Sequence, residues 1–169
     1  MDIQPGIVDR LPDSEAFLRH ADQVATAARS VGIPVILVVV GFRPGFPEIS
    51  PENKMFSTLK DSRPQLQNPQ PAIAPTEADI VVTKRRVSAF AGSDLEVVLR
   101  ARGIRHLVLG GIATSGVVLS TIREAADKDF RLTVCSDLCA DFDAEVHSFL
   151  LEKIFPRQAE VLSSPGWLA

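Results

Sequence analysis

Thiols and imidazoles are scarce in this chain of 169 residues, which holds two cysteines and three histidines. Two cysteines, Cys135 and Cys139, exclude the disulfide framework that staples small secreted domains. His20, His106 and His147 are scattered, and with no second cysteine pair they complete no zinc set of recognised spacing. No metal and no cofactor are expected. Basic residues are nowhere concentrated: "KRR" at 84–86 is the single basic run and the formal net charge is −3. The phosphate-binding surface that a nucleic-acid partner requires is therefore missing. No stretch approaches the ~20 apolar residues of a membrane span, and the N-terminus lacks the basic flank and apolar run of a signal peptide. The expectation is a cytoplasmic protein with neither membrane nor nucleic acid as partner.

What the chain does have is core-forming material, 46% of its residues being hydrophobic. That suffices for one domain over residues 1–169. Phe17, Leu18, Ala21, Val24, Ala25 and Ala28 recur at helical spacing behind the capping candidates Asp13 and Ser14, and Gly32 stops the run. "PVILVVV" at 34–40 is the continuous β-branched run of a strand buried on both faces. Residues 41–78 are proline-rich and aperiodic, predicting a long loop with one short helix near 52–60. Loops of that length in a compact domain are usually functional. Beyond it, "DIVVTK" reads as a strand. "SDLEVVLRARG" reads as a helix with Ser93 and Glu96 in capping-box spacing. "RHLVLGG" is a strand, 115–129 a helix and "RLTVCS" a strand. A helix over 143–155 follows, with Val146, Phe149, Leu150 and Ile154 on one stripe, and "AEVLSS" is a last strand. This alternation predicts an α/β protein with a mostly parallel central sheet covered by helices on both faces, a three-layer α/β/α architecture.

In such sheets the functional crevice lies beyond the carboxyl ends of the strands. Three places meet that condition: Asp2 with Gln4, Lys84 after "IVVT", and the turn 110–117 after "HLVL". A carboxylate, an ammonium and a helix N-terminus in one crevice supply an acid or base, a charge that tunes it, and donors for an oxyanion.

These residues also form ordered motifs: "DIQ" at 2–4, "KRRVSAF" at 84–90 and "GGIATSGVVLST" at 110–121. In order and spacing they resemble D-x-Q, K-x-x-x-S-A-F and G-[IV]-x-T-x-x-C-V of the isochorismatase-like hydrolases, the cysteine-hydrolase superfamily of nicotinamidases, carbamoylases and isochorismatases. The resemblance covers nearly the whole chain and implies that family's six-stranded, Rossmann-like α/β/α fold. It implies Asp2 and Lys84 as catalytic residues. The third member of the family's Asp, Lys and Cys triad falls on Val117, whose side chain cannot attack anything. Ser115 lies roughly 200° around the helix from that point, Ser120 is about one turn further along, and Cys135 and Cys139 read as core thiols, Cys139 nearer the rim of the site, so none is promoted to nucleophile in its place. The turn Ala113, Thr114, Ser115 and Gly116, with Gln4, is implied to bind substrate, with a cis peptide at Ala113–Thr114. Phe90 and the loop residues Phe42, Arg43 and Phe46 are candidate pocket walls, Arg43 being placed to meet a substrate carboxylate. The D-x-H-x-x-H metal pattern of nicotinamidases is missing from the loop.

Two functions follow as expectations. In the first, Asp2 acts as acid or base on a small molecule, balanced by Lys84, as in those isochorismatases that lack the cysteine and cleave a vinyl ether by protonating its carbon. In the second, the chain is an inactive relative that binds a small ligand or serves as an oligomeric scaffold. A homodimer or larger homo-oligomer is expected in either case. Because only Met1 precedes Asp2, the family's first strand is expected to be missing. That would leave an apolar slot filled either by residues upstream of an internal methionine or by a partner's segment.

Overall fold

A computed structural model describes residues 1–168, the side chains of Asp61 and Leu168 excepted. A 3₁₀ turn at Val8–Arg10 leads into α1, Ser14–Ser30. Helix α1 is capped as its sequence predicts, by the Asp13 carboxylate accepting from the Ala16 N–H. Strand β1 is Ile36–Val40, α2 Lys54–Ser62, β2 Ile80–Lys84 and α3 Leu95–Ala101. Strand β3, His106–Ile112, runs through one wide helical turn, Thr114–Val118, into α4, Leu119–Asp127. Strand β4 is Arg131–Ala140, α5 Ala144–Phe149, β5 Glu160–Leu162 and α6 Ser164–Leu168.

Every strand pair is parallel. β1 pairs with β2, and β3, β4 and β5 form a second group in that order. Main-chain bonds of Met1 and Asp2 join the two groups. The Met1 amino group donates to Gly110 O at 2.8 Å and the Ile112 N–H to Met1 O at 3.2 Å. On the other side the Asp2 N–H donates to Val38 O at 2.8 Å. Gly110 and Gly111 permit this closeness. A Cβ on Gly111 would lie 2.4 Å from Met1 O, and one on Gly110 would lie 2.7 Å from the Leu138 side chain.

On one face of the sheet α1 packs against α6 and β4. The main core lies on the other, where Leu95 and Leu99 of α3 meet Val118, Ile122 and Ala125 from the turn and α4, over Val82, Leu107 and Val134. The long segment 41–78 is more ordered than its composition suggests. Asn53 caps α2 by accepting from the Phe56 N–H, and Phe42, Phe46, Phe56 and Leu66 make a second small core.

Three local expectations are corrected. Ser93 does not form a capping box with Glu96: helix α3 starts at Leu95, and Lys128 draws the Glu96 carboxylate to 2.7 Å. Strand β4 runs to Ala140 rather than stopping near Ser136, because its register shifts to follow β3 to Ile112. The 143–155 helix widens at Leu150–Ile154, which rotates its stripe. Leu150 and Phe155 are consequently buried, while Val146 and Phe149 stay exposed.

Candidate active site

The bonds of Met1 and Asp2 to β1 and β3 place the first residue of the site. Met1 still lies in the sheet, but Asp2 has φ +56°, so the chain turns out of the sheet at the carboxyl ends of β1 and β3. Gln4 extends the pairing with its side chain: its Oε1 accepts from the Val40 N–H at 2.8 Å and its Nε2 donates to Val40 O at 3.1 Å. Both polar atoms of Gln4 are thus engaged by main chain.

Lys84 ends β2 opposite Val40. Its ammonium has three donors and all are used: Asp2 Oδ2 at 2.9 Å, Arg86 O at 2.9 Å and Val87 O at 2.9 Å. Both residues are buried, Asp2 at 6% and Lys84 at 1% exposure. The second carboxylate oxygen, Asp2 Oδ1, is buried with no hydrogen-bond partner among the described residues. Burial pushes the Asp2 carboxyl above its ordinary range despite the opposing pull of Lys84. It also pushes the lysine down, against the pull of Asp2. The pair that the sequence separates by 82 positions is therefore a contact, with one carboxylate oxygen left for something else.

The turn after β3 is held by two side chains that the sequence reading missed. Asp141 Oδ2 accepts from the Ser115 N–H at 2.6 Å while its Oδ1 accepts from the Phe142 N–H at 2.8 Å. Burial raises the Asp141 carboxyl, but these N–H donors outweigh it and hold its pKa below the usual value. His147 Nδ1 lies 2.8 Å from Thr114 Oγ1, and Thr114 is fully buried. Both partners come from the segment after β4, where "ADFD" would have signalled a strand-end carboxylate, but nothing in the spacing links it to residue 115. Gly116 stands half-buried, with its N–H donating to Ala113 O. The cis peptide expected at Ala113–Thr114 lies one bond earlier, at Ile112–Ala113. The reason is register: β3 stays paired through Ile112, opposite Ala140, so the turn begins immediately after it.

Val117 is 2% exposed and belongs to the main core. Phe90 is buried in that core, its ring 5.9 Å from Phe130. Phe42 and Phe46 lie in the second core. Arg43 is exposed and paired with Glu48 at 2.8 Å. Cys135 and Cys139 are both buried, and burial pushes each thiol up to about 12. Neither forms the thiolate that nucleophilic attack needs near neutral pH. His20, Asp137 and Ser164 also converge, but His20 Nε2 meets both Asp137 Oδ2 at 3.0 Å and Ser164 Oγ at 3.2 Å. A proton relay requires serine and aspartate on different ring nitrogens, so this cluster fastens α6 to α1. Among the described residues no three His, Cys, Asp or Glu side chains gather as metal ligands, and no helix is long and apolar enough to cross a membrane.

A buried acid and lysine thus stand at the strand ends beside a tightly held strand-to-helix turn. Among known protein families, the isochorismatase domain profile matches residues 1–165. An uncharacterised isochorismatase family protein of Escherichia coli O157:H7, YecD, is 34% identical over 168 residues, covering 96% of this chain and 89% of that protein. The ureidoacrylate amidohydrolase RutB of Pseudomonas savastanoi pv. phaseolicola is 34% identical over 157 residues, covering 80% of this chain and 64% of its own length. The solved isochorismatase family protein of Burkholderia thailandensis superposes with a TM-score of 0.81 at 32% identity, covering 98% of this chain and 89% of that one. The chain belongs to the isochorismatase family and has its α/β/α fold.

Proposed function

We propose that this protein is a hydrolase of small molecules in which Asp2 transfers a proton and no thiol takes part. The observation that carries the reading is Asp2 Oδ1, a buried carboxyl oxygen with no partner among the described residues, beside a lysine whose donors are all engaged. Such an atom is costly to bury unless a substrate or water completes it. With its pKa raised, the carboxyl keeps a proton further toward neutral pH than a surface aspartate does. On a vinyl ether it protonates the alkene carbon. Water adds to the resulting oxocarbenium carbon and loses a proton, and the hemiketal collapses to a carbonyl compound and an alcohol. Lys84 keeps the carboxylate that remains after proton transfer stable. Val117, at the position matching the family's cysteine, leaves a covalent intermediate without an attacking atom.

The test is turnover on a panel of vinyl ethers, carbamoyl compounds and amides, ureidoacrylate included. Asp2→Asn is expected to lower the rate on any substrate found by about 10²-fold or more, and an unchanged rate overturns the mechanism. The burial of Val117 within the apolar core favours a second reading, a ligand-binding relative without turnover. The same panel separates the two: turnover supports the first reading, and thermal stabilisation by a panel compound without turnover supports the second. Both need a site open to small molecules, so protection of the new thiol of Val117→Cys from iodoacetamide in the folded protein counts against each.

A further inference from the structure

The sequence placed Arg43 to meet a substrate carboxylate, but the structure pairs that cation with Glu48. Arg10 is placed to do so instead. The segment after Asp2 coils in consecutive turns, the Ile7 and Val8 N–H groups donating to Gln4 O and the Arg10 N–H to Ile7 O. Arg10 ends that coil and lays its guanidinium over the Phe142 ring, with Cζ 3.8 Å from the centroid. Phe142 directly follows Asp141, whose carboxylate holds the site turn at Ser115. Met1 and β4 lie on either side of β3, so the contact between Arg10 and Phe142 reaches from one flank of β3 to the other at its carboxyl end. We propose that Arg10, stacked on Phe142, is the specificity residue of this crevice and grips a carboxylate on the substrate, at the end away from the bond that meets Asp2.

The other cations around the crevice are engaged. Lys84 uses its three donors on Asp2 and two carbonyls. Arg85 lies 3.6 Å from the Glu48 carboxylate and donates to Gly41 O, and Arg86 donates to Arg85 O and Glu48 O. Arg63 donates to Gly6 O at 2.5 Å. Among the described residues the Arg10 guanidinium has no acid at ion-pair distance and no hydrogen-bond acceptor; its contact is the Phe142 ring. A guanidinium held over a ring has its plane fixed, while the edge that carries its N–H donors stays open to the paired oxygens of a carboxylate. Arg63 adds a second reason for an anion. Burial pushes the Arg63 guanidinium down and the nearby Arg10 charge pushes it the same way, so two like charges stand close together beside Gly6. A bound carboxylate offsets that repulsion. At about 2 Å per residue of 3₁₀ coil, the stretch from Gln4 to Arg10 spans about 12 Å, so with the reach of the arginine side chain a chain of roughly four to six carbons touches both ends. The inference names the substrate class of the site proposed above and rests on that site admitting small molecules.

Succinamate, glutaramate and adipamate each carry a carboxylate at one end and an uncharged amide at the other. Each is compared with its neutral diamide by thermal shift and calorimetric titration. The unaltered protein is expected to bind at least one of the acids about tenfold or more tightly than the matching diamide. Arg10 is exposed, so Arg10→Gln leaves the core intact, and it is expected to bring acid and diamide within about twofold of each other. Arg19→Gln removes an exposed charge from α1 and should leave the preference unchanged. Equal binding of acid and diamide by the unaltered protein overturns the proposal. So does a preference that survives in Arg10→Gln, or one that Arg19→Gln removes equally, which would report net charge alone. Failure of every acid to bind at about 10 mM also overturns it. Turnover distinguishes this inference from the proposed reaction. Acid-selective binding with a silent substrate panel keeps the Arg10 assignment and overturns the hydrolytic reading, whereas turnover of neutral compounds with no acid preference does the reverse.

Discussion

Asp2 and Lys84 show how burial changes ordinary side chains. Each has its charge made costly by desolvation and recovers part of that cost from the other. Lys84→Met leaves the carboxyl without its counter-charge and is expected to lower stability by about 3 kcal/mol, measured by urea unfolding. Combined with Asp2→Asn, the loss should be smaller than the sum of the single losses, because neither partner is then left charged and alone. The same pair sets the pH dependence of the proposed reaction. An acid with a raised pKa is competent below that pKa and inactive above it, so kcat should fall as pH rises through a value above 3.8, the ordinary carboxyl value. A pH profile that instead rises through that limb would assign Asp2 the role of base. Of the pair, the sequence disclosed identity and strand-end position. It did not disclose that one oxygen is left over, because that depends on Arg86 and Val87 carbonyls saturating the lysine.

At the scale of elements, the site turn depends on the segment that follows the neighbouring strand. Asp141→Ala removes the acceptor of the Ser115 N–H and is expected to cost about 1–2 kcal/mol, as a lost cap does, and to reduce turnover more than Asp141→Asn. Comparing urea midpoints and rates of the two variants checks this. Elsewhere α1 is fastened to the start of β2 by Arg29, which grips Asp79 with two bonds of 3.1 and 2.8 Å. Burial raises the Asp79 carboxyl, but the bonds from Arg29 and Thr76 outweigh it and the pKa is lowered below 3.8. The sign follows. This stabilisation is present above the unfolded value and lost as pH falls through the folded one. Asp79→Asn should thus cost about 1.5–3 kcal/mol at pH 7 and progressively less below pH 3.8, read from urea midpoints across that range. Helices and strands were legible because their apolar periods are local. The Asp141 clamp and the widened turn at Leu150–Ile154 were not, since each is set by a neighbour distant in sequence.

The whole molecule is a parallel sheet in two groups held together at Met1 and Asp2. Both thiols lie inside it, so Cys135 and Cys139 are expected to resist iodoacetamide at pH 8 at a rate set by opening of the core, and to react fully in denaturant. Fast labelling of either in the native protein would contradict their burial. The sequence by itself determined the α/β alternation, the parallel sheet, the family motifs and the residue types at the strand ends. These follow from short-range periodicity and from ordered spacing. Only the tertiary structure decided that Asp2 Oδ1 has no hydrogen-bond partner among the described residues, that Gln4 bonds both main-chain groups of Val40, and that the cis bond falls at Ile112–Ala113. The physical reason is common to all three. Each depends on which polar groups meet across strands that the sequence keeps far apart, and hydrogen bonds are satisfied in space rather than along the chain.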